Sequence, residues 1–259
     1  DFRPPYQSPP PLTQSASKLR DYLRDQGCHP YRLPQACEFK DGCACCQGYL
    51  CAFDCKNDSS RICLEPALRQ HGAQLLDECE VLQLESDSTR VTGVVCRYRG
   101  ETLTLRGSIV ILAAGALYTP GILLASRSEN WPDGLANRSG LVGRNLMRHF
   151  VDLYVLRSGL KEGLETRWKE IAFNDYYHGP IKLGSVQSFG ALPPVAQLAA
   201  SLQYDLRQGP IPLAGALFTV VKPLIQTYLK RTLSRGPIMA SILEDLPYLE
   251  NRVEVDPAT

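Results

Sequence analysis

Seven of the ten cysteines fall at Cys37, Cys43, Cys45, Cys46, Cys51, Cys55 and Cys63. Thiols at that density point to disulfides, a metal ion or an iron–sulfur cluster. Zinc usually takes paired C-x-x-C knuckles and a cluster takes a regular series. This spacing follows neither, and adjacent Cys45 and Cys46 cannot easily aim both sulfurs at one tetrahedral ion. Disulfides, reduced thiols and metal all stay open, and no residue is assigned as a metal ligand. The segment has few large apolar residues (Phe39, Tyr49, Leu50, Phe53 and Ile62) with which to order itself by burial. Cross-links are therefore the expected source of order, with at least one disulfide among Cys43, Cys45, Cys46, Cys51 and Cys55. A disulfide there would imply an oxidising compartment such as a periplasm. The four histidines, His29, His71, His149 and His178, stand apart from any partner in sequence, and no catalytic residue is assigned.

A second stretch has the makings of a ligand-approach site. Ile109-Val110-Ile111-Leu112 is an unbroken aliphatic run that predicts a strand buried on both faces, as in a parallel sheet. Ala113-Ala114-Gly115-Ala116 follows with almost no side-chain bulk, so a ligand or another backbone can come close there. Thr119-Pro120 then predicts a helix start, Thr as cap and Pro as first residue, with Ile122, Leu123 and Leu124 as its apolar stripe. An ordinary strand-to-helix crossover would look the same.

The elements that must position these stretches follow from periodicity. Residues 1–13 hold five prolines and predict extended surface chain. Residues 15–24 predict a helix with Leu19 and Leu23 on one face, and residues 64–73 a second helix ending at Gly72. Short strands are predicted at residues 74–76, 80–84 and 91–98. Residues 101–105 should close a hairpin with the last of these. After His149, strands are predicted at 151–156, 181–189, 238–243 and 252–255, with residues 161–168 charged and solvent-facing. Residues 193–229 should form two or three short helices broken by Pro210, Pro212 and Pro223. The Asn57-Asp58-Ser59 and Asn137-Arg138-Ser139 triplets read as unmodified solvent-facing turns.

Three motifs carry a family resemblance. Gly115-Ala116-x-x-Thr119-Pro120-x-Ile122-Leu123-x-x-Ser126 resembles the second signature of the glucose–methanol–choline (GMC) flavoprotein oxidoreductases. Arg127-Ser128-Glu129 departs from the Gly-aliphatic-Gly that normally follows. Residues 140–149, Gly-Leu-Val-Gly-Arg-Asn-Leu-Met-Arg-His, resemble the family's VGRNL segment, with Arg148 where an acidic residue is usual. Glu244-Asp245-x-Pro247-x-x-Glu250-Asn251-Arg252-Val253 resembles the segment preceding its catalytic C-terminal part. Cys51-x-x-x-Cys55-Lys56-Asn57-Asp58, with Arg61 and Cys63, is similar to an element of bacterial GMC-like dehydrogenases near the flavin and substrate entrance.

The resemblance implies an α/β plus α+β fold: part of a Rossmann-like FAD-binding domain with a substrate domain built on a mainly antiparallel sheet. It implies FAD as cofactor, with Val81 supplying the backbone groups that recognise adenine and Ala114 and Gly115 lying under the cofactor. It also implies oxidation of a CH–OH group of an alcohol, sugar or sugar acid by hydride transfer to flavin. Oxygen, a quinone or a cytochrome would take the electrons. The domains expected are residues 1–65 as a cysteine-rich entrance segment, 66–150 as the second part of the FAD domain and 151–259 as an incomplete substrate domain. No Gly-x-Gly-x-x-Gly loop follows a strand, and no His–His or His–Asn pair closes the chain. A central fragment, inactive alone, is therefore expected. The rival reading is a metal-binding or thiol–disulfide module without flavin.

Composition bounds the alternatives. With 28 basic and 27 acidic side chains in 259 residues, the balance predicts no nucleic-acid partner and no polybasic membrane patch. No apolar run reaches the roughly 20 residues of a membrane span.

Overall fold

A computed structural model of the chain describes residues 9–43, 50–156, 169–177, 182–190, 192–211, 213–233 and 236–256. In chain order the elements are α1 (Gln14–Asp25), β1 (Tyr31–Arg32), a π-helical turn (Ser60–Leu64), α2 (Glu65–Gln70), β2 (Cys79–Ser86), β3 (Val91–Tyr98), β4 (Glu101–Leu105) and α3 (Gly115–Ala125). They continue with β5 (His149–Val155), β6 (Ile171–Phe173), β7 (Ser185–Ser188), α4 (Val195–Gln208), α5 (Ala214–Leu233) and β8 (Ile238–Glu244). These mixed helices and strands sort into two compact units, Asp1–Cys63 with His149–Glu244 and Leu64–Arg148 with Asp245–Thr259.

The first unit is built on a five-stranded sheet of order β1-β6-β7-β8-β5, antiparallel throughout. Its core lies along β6 and β8, where Ile171, Ala172, Phe173, Met239 and Ala240 are buried. Ser188 ties β7 to β6. Its hydroxyl accepts from the Glu170 and Ile171 N–H groups at 2.7 and 3.0 Å and donates to the Ile171 carbonyl. The buried Glu170 carboxylate accepts the Thr13 N–H and hydroxyl, each at 2.8 Å, while the Thr13 hydroxyl also caps α1. Helices α4 and α5 pair through Gln203, which donates to Thr219 at 2.7 Å and accepts from Lys222 at 2.9 Å.

The second unit contains the meander β2-β3-β4, also antiparallel. The β3–β4 turn is the two-residue loop Arg99-Gly100, with φ of 49° and 88°. Positive φ at both positions matches the strand twist, which is why this hairpin closes tightly. Asp87 organises the β2–β3 turn, its carboxylate accepting the Thr89 N–H and hydroxyl and the Arg90 N–H at 2.7–2.8 Å. Those bonds hold its carboxyl down at about 2.

Several elements differ from expectation. The Ile109–Leu112 run is not a strand: Ile109 and Ile111 are 80% and 82% exposed. A strand buried on both faces needs ladder neighbours and covering helices, and among the described residues β4 pairs only with β3. No parallel pairing occurs among the described residues, although the antiparallel sheet expected after residue 151 is present. Helix α3 begins at Gly115 rather than Thr119, which puts Pro120 inside it. Pro223 likewise lies within the 20-residue α5, so among the described residues this segment forms two helices, α4 and α5. Residues 74–76 and 252–255 are irregular rather than strands. The expectation for residues 161–168 falls outside the described residues, as does that for residues 1–8.

Candidate functional site

In the second unit the small-residue turn sits at the start of α3. Ala114 (φ −84°, ψ 9°) precedes the helix, and Gly115 opens it with φ of +80°. That left-handed conformation is why glycine stands there. Both residues are exposed, and a Cβ built on Gly115 would meet nothing within 4 Å, so the backbone is open to a ligand. Thr119 does not cap α3 from outside. It lies in the first turns, and its hydroxyl accepts the Ala114 N–H at 3.1 Å, closing the turn back on itself.

The far end of α3 is anchored to β2. Ser126 is 2% exposed, and its hydroxyl donates to the Ile122 carbonyl at 2.6 Å and accepts the Leu84 N–H at 2.8 Å. Val81 lies on the same strand, half-buried and paired with Cys96, next to a bulge that leaves Leu82 without a ladder partner. The loop after α3 packs on it closely. A Cβ on Gly134 would come within 2.9 Å of the Leu123 carbonyl oxygen, and the Trp131 indole N–H reaches the Asp87 carbonyl at 3.1 Å. Asn137 is 8% exposed, its amide bonded to the Asp133 carbonyl and the Val142 N–H. It is thus a buried brace and not the solvent-facing turn expected.

The second and third sequence motifs meet in space. The Val253 N–H donates to the Gly143 carbonyl at 2.8 Å, the Leu146 N–H to the Asn251 carbonyl at 2.8 Å and the Asp245 N–H to the Arg148 carbonyl at 3.2 Å. Gly143 (φ +80°) is required there, because a Cβ would sit 3.0 Å from the Val253 carbonyl oxygen.

In the first unit the cysteine-rich segment is ordered by an arginine. Arg61 donates to Asn57 at 2.5 Å and Glu38 at 2.8 Å, and its Nε lies 3.3 Å from Asp54. The Glu38 N–H donates to the Cys55 carbonyl and the Asn57 N–H to the Ala36 carbonyl, so the two arms of the loop are bridged. No disulfide occurs among the described cysteines. At least one disulfide is expected from the sequence among Cys43, Cys45, Cys46, Cys51 and Cys55; none joins Cys43, Cys51 and Cys55 to one another, and charge-assisted hydrogen bonds order the described part of the segment. Cys45 and Cys46 lie outside the described residues. Cys55 is fully buried, and its N–H donates to the Cys51 sulfur at 3.2 Å. That donation pulls the Cys51 thiol down, whereas burial and the Cys51 sulfur push Cys55 up. Burial and neighbouring thiols raise Cys37 to about 11. No group of three or more potential ligands among the described residues is arranged to hold a metal ion.

No histidine has a partner nearby in sequence, yet His29 has one in space. Its Nδ1 lies 2.6 Å from the Asp175 carboxylate, which also accepts the His29 N–H, and this holds the Asp175 carboxyl down. The pair is separated by 146 residues, so no local signal could reveal it. His71 and His149 are exposed, and His178 lies outside the described residues.

The comparison that decides the family is a match of the GMC oxidoreductase model to residues 15–151, more than half of the chain. The chain belongs to the GMC oxidoreductase family. Among similar proteins is a 2-methyl-1,2-propanediol dehydrogenase of Mycolicibacterium austroafricanum, 32% identical over 46% of this chain and 22% of its own length. A 6'''-hydroxyparomomycin C oxidase of Streptomyces lividus is 34% identical over 39% of the chain and 19% of its own length. A paromamine 6'-oxidase of Streptomyces fradiae is 31% identical over 52% of the chain and 27% of its own length. The chain thus spans between about a fifth and a quarter of these GMC relatives. The matched domain is the one that binds FAD, the cofactor of this oxidoreductase family. The open turn at Gly115 fits a cofactor passing over it, since no side chain obstructs the backbone there.

Proposed function

We propose that this chain is a segment of a FAD-dependent GMC enzyme that oxidises a CH–OH group of an alcohol, sugar or sugar acid. The observation that carries the reading is the family match over residues 15–151 together with relatives named as a 2-methyl-1,2-propanediol dehydrogenase, a paromamine 6'-oxidase and a fructose dehydrogenase large subunit. FAD, when bound, accepts the hydride. The residues of this chain serve binding. Backbone groups of Val81 hold the adenine end, and Ala114 and Gly115 let the cofactor lie against the start of α3. The five-stranded sheet belongs to the substrate domain, and the electron acceptor is oxygen, a quinone or a cytochrome.

Two experiments test this. Expressed alone, the chain is expected to hold no stoichiometric FAD, because its sequence has no dinucleotide loop; a flavin spectrum at one per chain would sink the fragment reading. In the whole protein, Ala114→Leu should weaken FAD retention much more than it lowers the melting temperature. Ala114 has negative φ and is exposed, so a larger side chain folds there. Gly115→Val is a poorer probe, since φ of +80° strains a branched residue whatever lies nearby. Equal loss of stability and flavin in Ala114→Leu would favour a plain crossover.

A further inference from the structure

We infer that Ser126 is a positioning residue for FAD, holding the Gly115 turn at a fixed distance from Val81. The inference rests on the reading that the cofactor lies against both places. Ser126 closes the first motif, but its side chain touches no ligand-facing surface: it is almost completely buried. Its one hydroxyl uses both hydrogen-bonding capacities on backbone groups of two elements. The proton goes to the Ile122 carbonyl within α3, and a lone pair takes the N–H of Leu84 on β2. Leu84 is itself buried, so without that oxygen its N–H would have no water to turn to.

The placement of the bond gives it reach. Among the described residues β2 pairs with β3 on one side only, and its pairing slips between Val81 and Gln83. Cys79, Glu80 and Val81 pair in register with Tyr98, Arg97 and Cys96 before that slip, and the Ser126 bond ties the strand to α3 at Leu84, just beyond it. Helix α3 runs from Gly115 to Ala125, with Ser126 as its C-terminal cap. At about 1.5 Å per residue the helix is a short link, with Pro120 inside it, between the Ser126 anchor and the Gly115 turn. A dinucleotide that touches Val81 and the Gly115 turn at once binds well only if those two anchors are pre-set, because any freedom between them must be lost on binding.

The test uses Ser126→Ala, Ser126→Thr and Ala114→Leu in the whole protein, with FAD dissociation constants of the apo-protein and thermal unfolding in the absence of FAD. It adds amide exchange of Leu84. Ser126→Ala should raise the FAD dissociation constant about tenfold, the factor matching one lost buried hydrogen bond. It should also speed Leu84 exchange, while Ser126→Thr, which keeps the hydroxyl, restores both toward wild type at whatever melting temperature it has. A purely structural serine would lower the apo melting temperature and leave the FAD constant unchanged. If Ala114→Leu loses FAD while Ser126→Ala binds it as wild type does, this inference is overturned and the site reading stands. If Ala114→Leu binds FAD normally, the site reading falls and takes the inference with it.

Discussion

The β2-β3-β4 sheet pairs only strands that follow one another, whereas the five-stranded sheet draws β1 from residue 31 to β6 at residue 171 and β5 from residue 149 to β8 at residue 244. The first closes through two-residue and Asx-type turns, whose conformation is written in local residues such as Arg99-Gly100 and Asp87. The second closes long loops, and polar contacts brace it beside β6, Thr13 with Glu170 and Ser188 with Glu170 and Ile171. Long loops cost little more than moderate ones in entropy, but nothing local specifies where they close. The two sheets should therefore fail separately and for different reasons.

The largest effect is expected in the long-range sheet. Gly184 has φ of +97°, and a Cβ there would fall 1.9 Å from the Ile242 carbonyl oxygen. Gly184→Ala should cost on the order of 3 kcal/mol or more, since backbone must move and left-handed φ is strained. Hydrogen exchange should show β7 and β8 losing protection while β2, β3 and β4 keep theirs. Loss of both sheets in step would show one cooperative unit and end the comparison.

Thr13→Val comes next, at roughly 2–3 kcal/mol. It removes an N-cap and strips a buried carboxylate of a partner. Thr13→Ser should behave nearly as wild type, and denaturant unfolding distinguishes the two. Pro223→Ala should act in the opposite direction, stabilising α5 by about 1–3 kcal/mol because a helix-interior proline forfeits one backbone bond. A lower melting temperature for that variant would mean α5 uses the proline in packing.

The smallest effect belongs to the local sheet. Asp87 has its carboxyl lowered from 3.8 to about 2, first by the Thr89 N–H and then by the Thr89 hydroxyl and Arg90 N–H. A lowered value means the turn's contribution is present above pH 3.8 and is lost as pH falls through about 2. Thr89 and Arg90 amide exchange should therefore accelerate over that window, and Asp87→Asn should flatten the dependence. An unchanged profile in that variant would assign the turn's order elsewhere.

The same divide runs through the candidate site. The meander, the helix at the small-residue turn and the openness of Gly115 were legible, because each depends on residues within a few positions of one another. The helix start was misread, since Thr119 serves the turn as readily from inside α3 as from a cap position. Ser126 was visible only as a motif letter. Its bond to Leu84 spans 42 residues and has no sequence signature. What orders the described part of the cysteine segment was hidden for a related reason. Counting thiols suggests cross-links, but Arg61 orders the loop by reaching Glu38, and that contact spans 23 residues.

Three short motifs carried the family resemblance, and periodicity and turn chemistry by themselves pointed to the hairpin of residues 91–105 and to strands near β5, β7 and β8. Those properties follow from side-chain alternation and turn chemistry, which act over a few residues. Tertiary structure alone decided that Asp1–Cys63 packs with His149–Glu244, that Asp175 holds His29 and that the second and third motifs lie side by side. It also decided that Ile109 and Ile111 stand exposed: an aliphatic run states a demand for burial, and only neighbouring strands and helices can meet it.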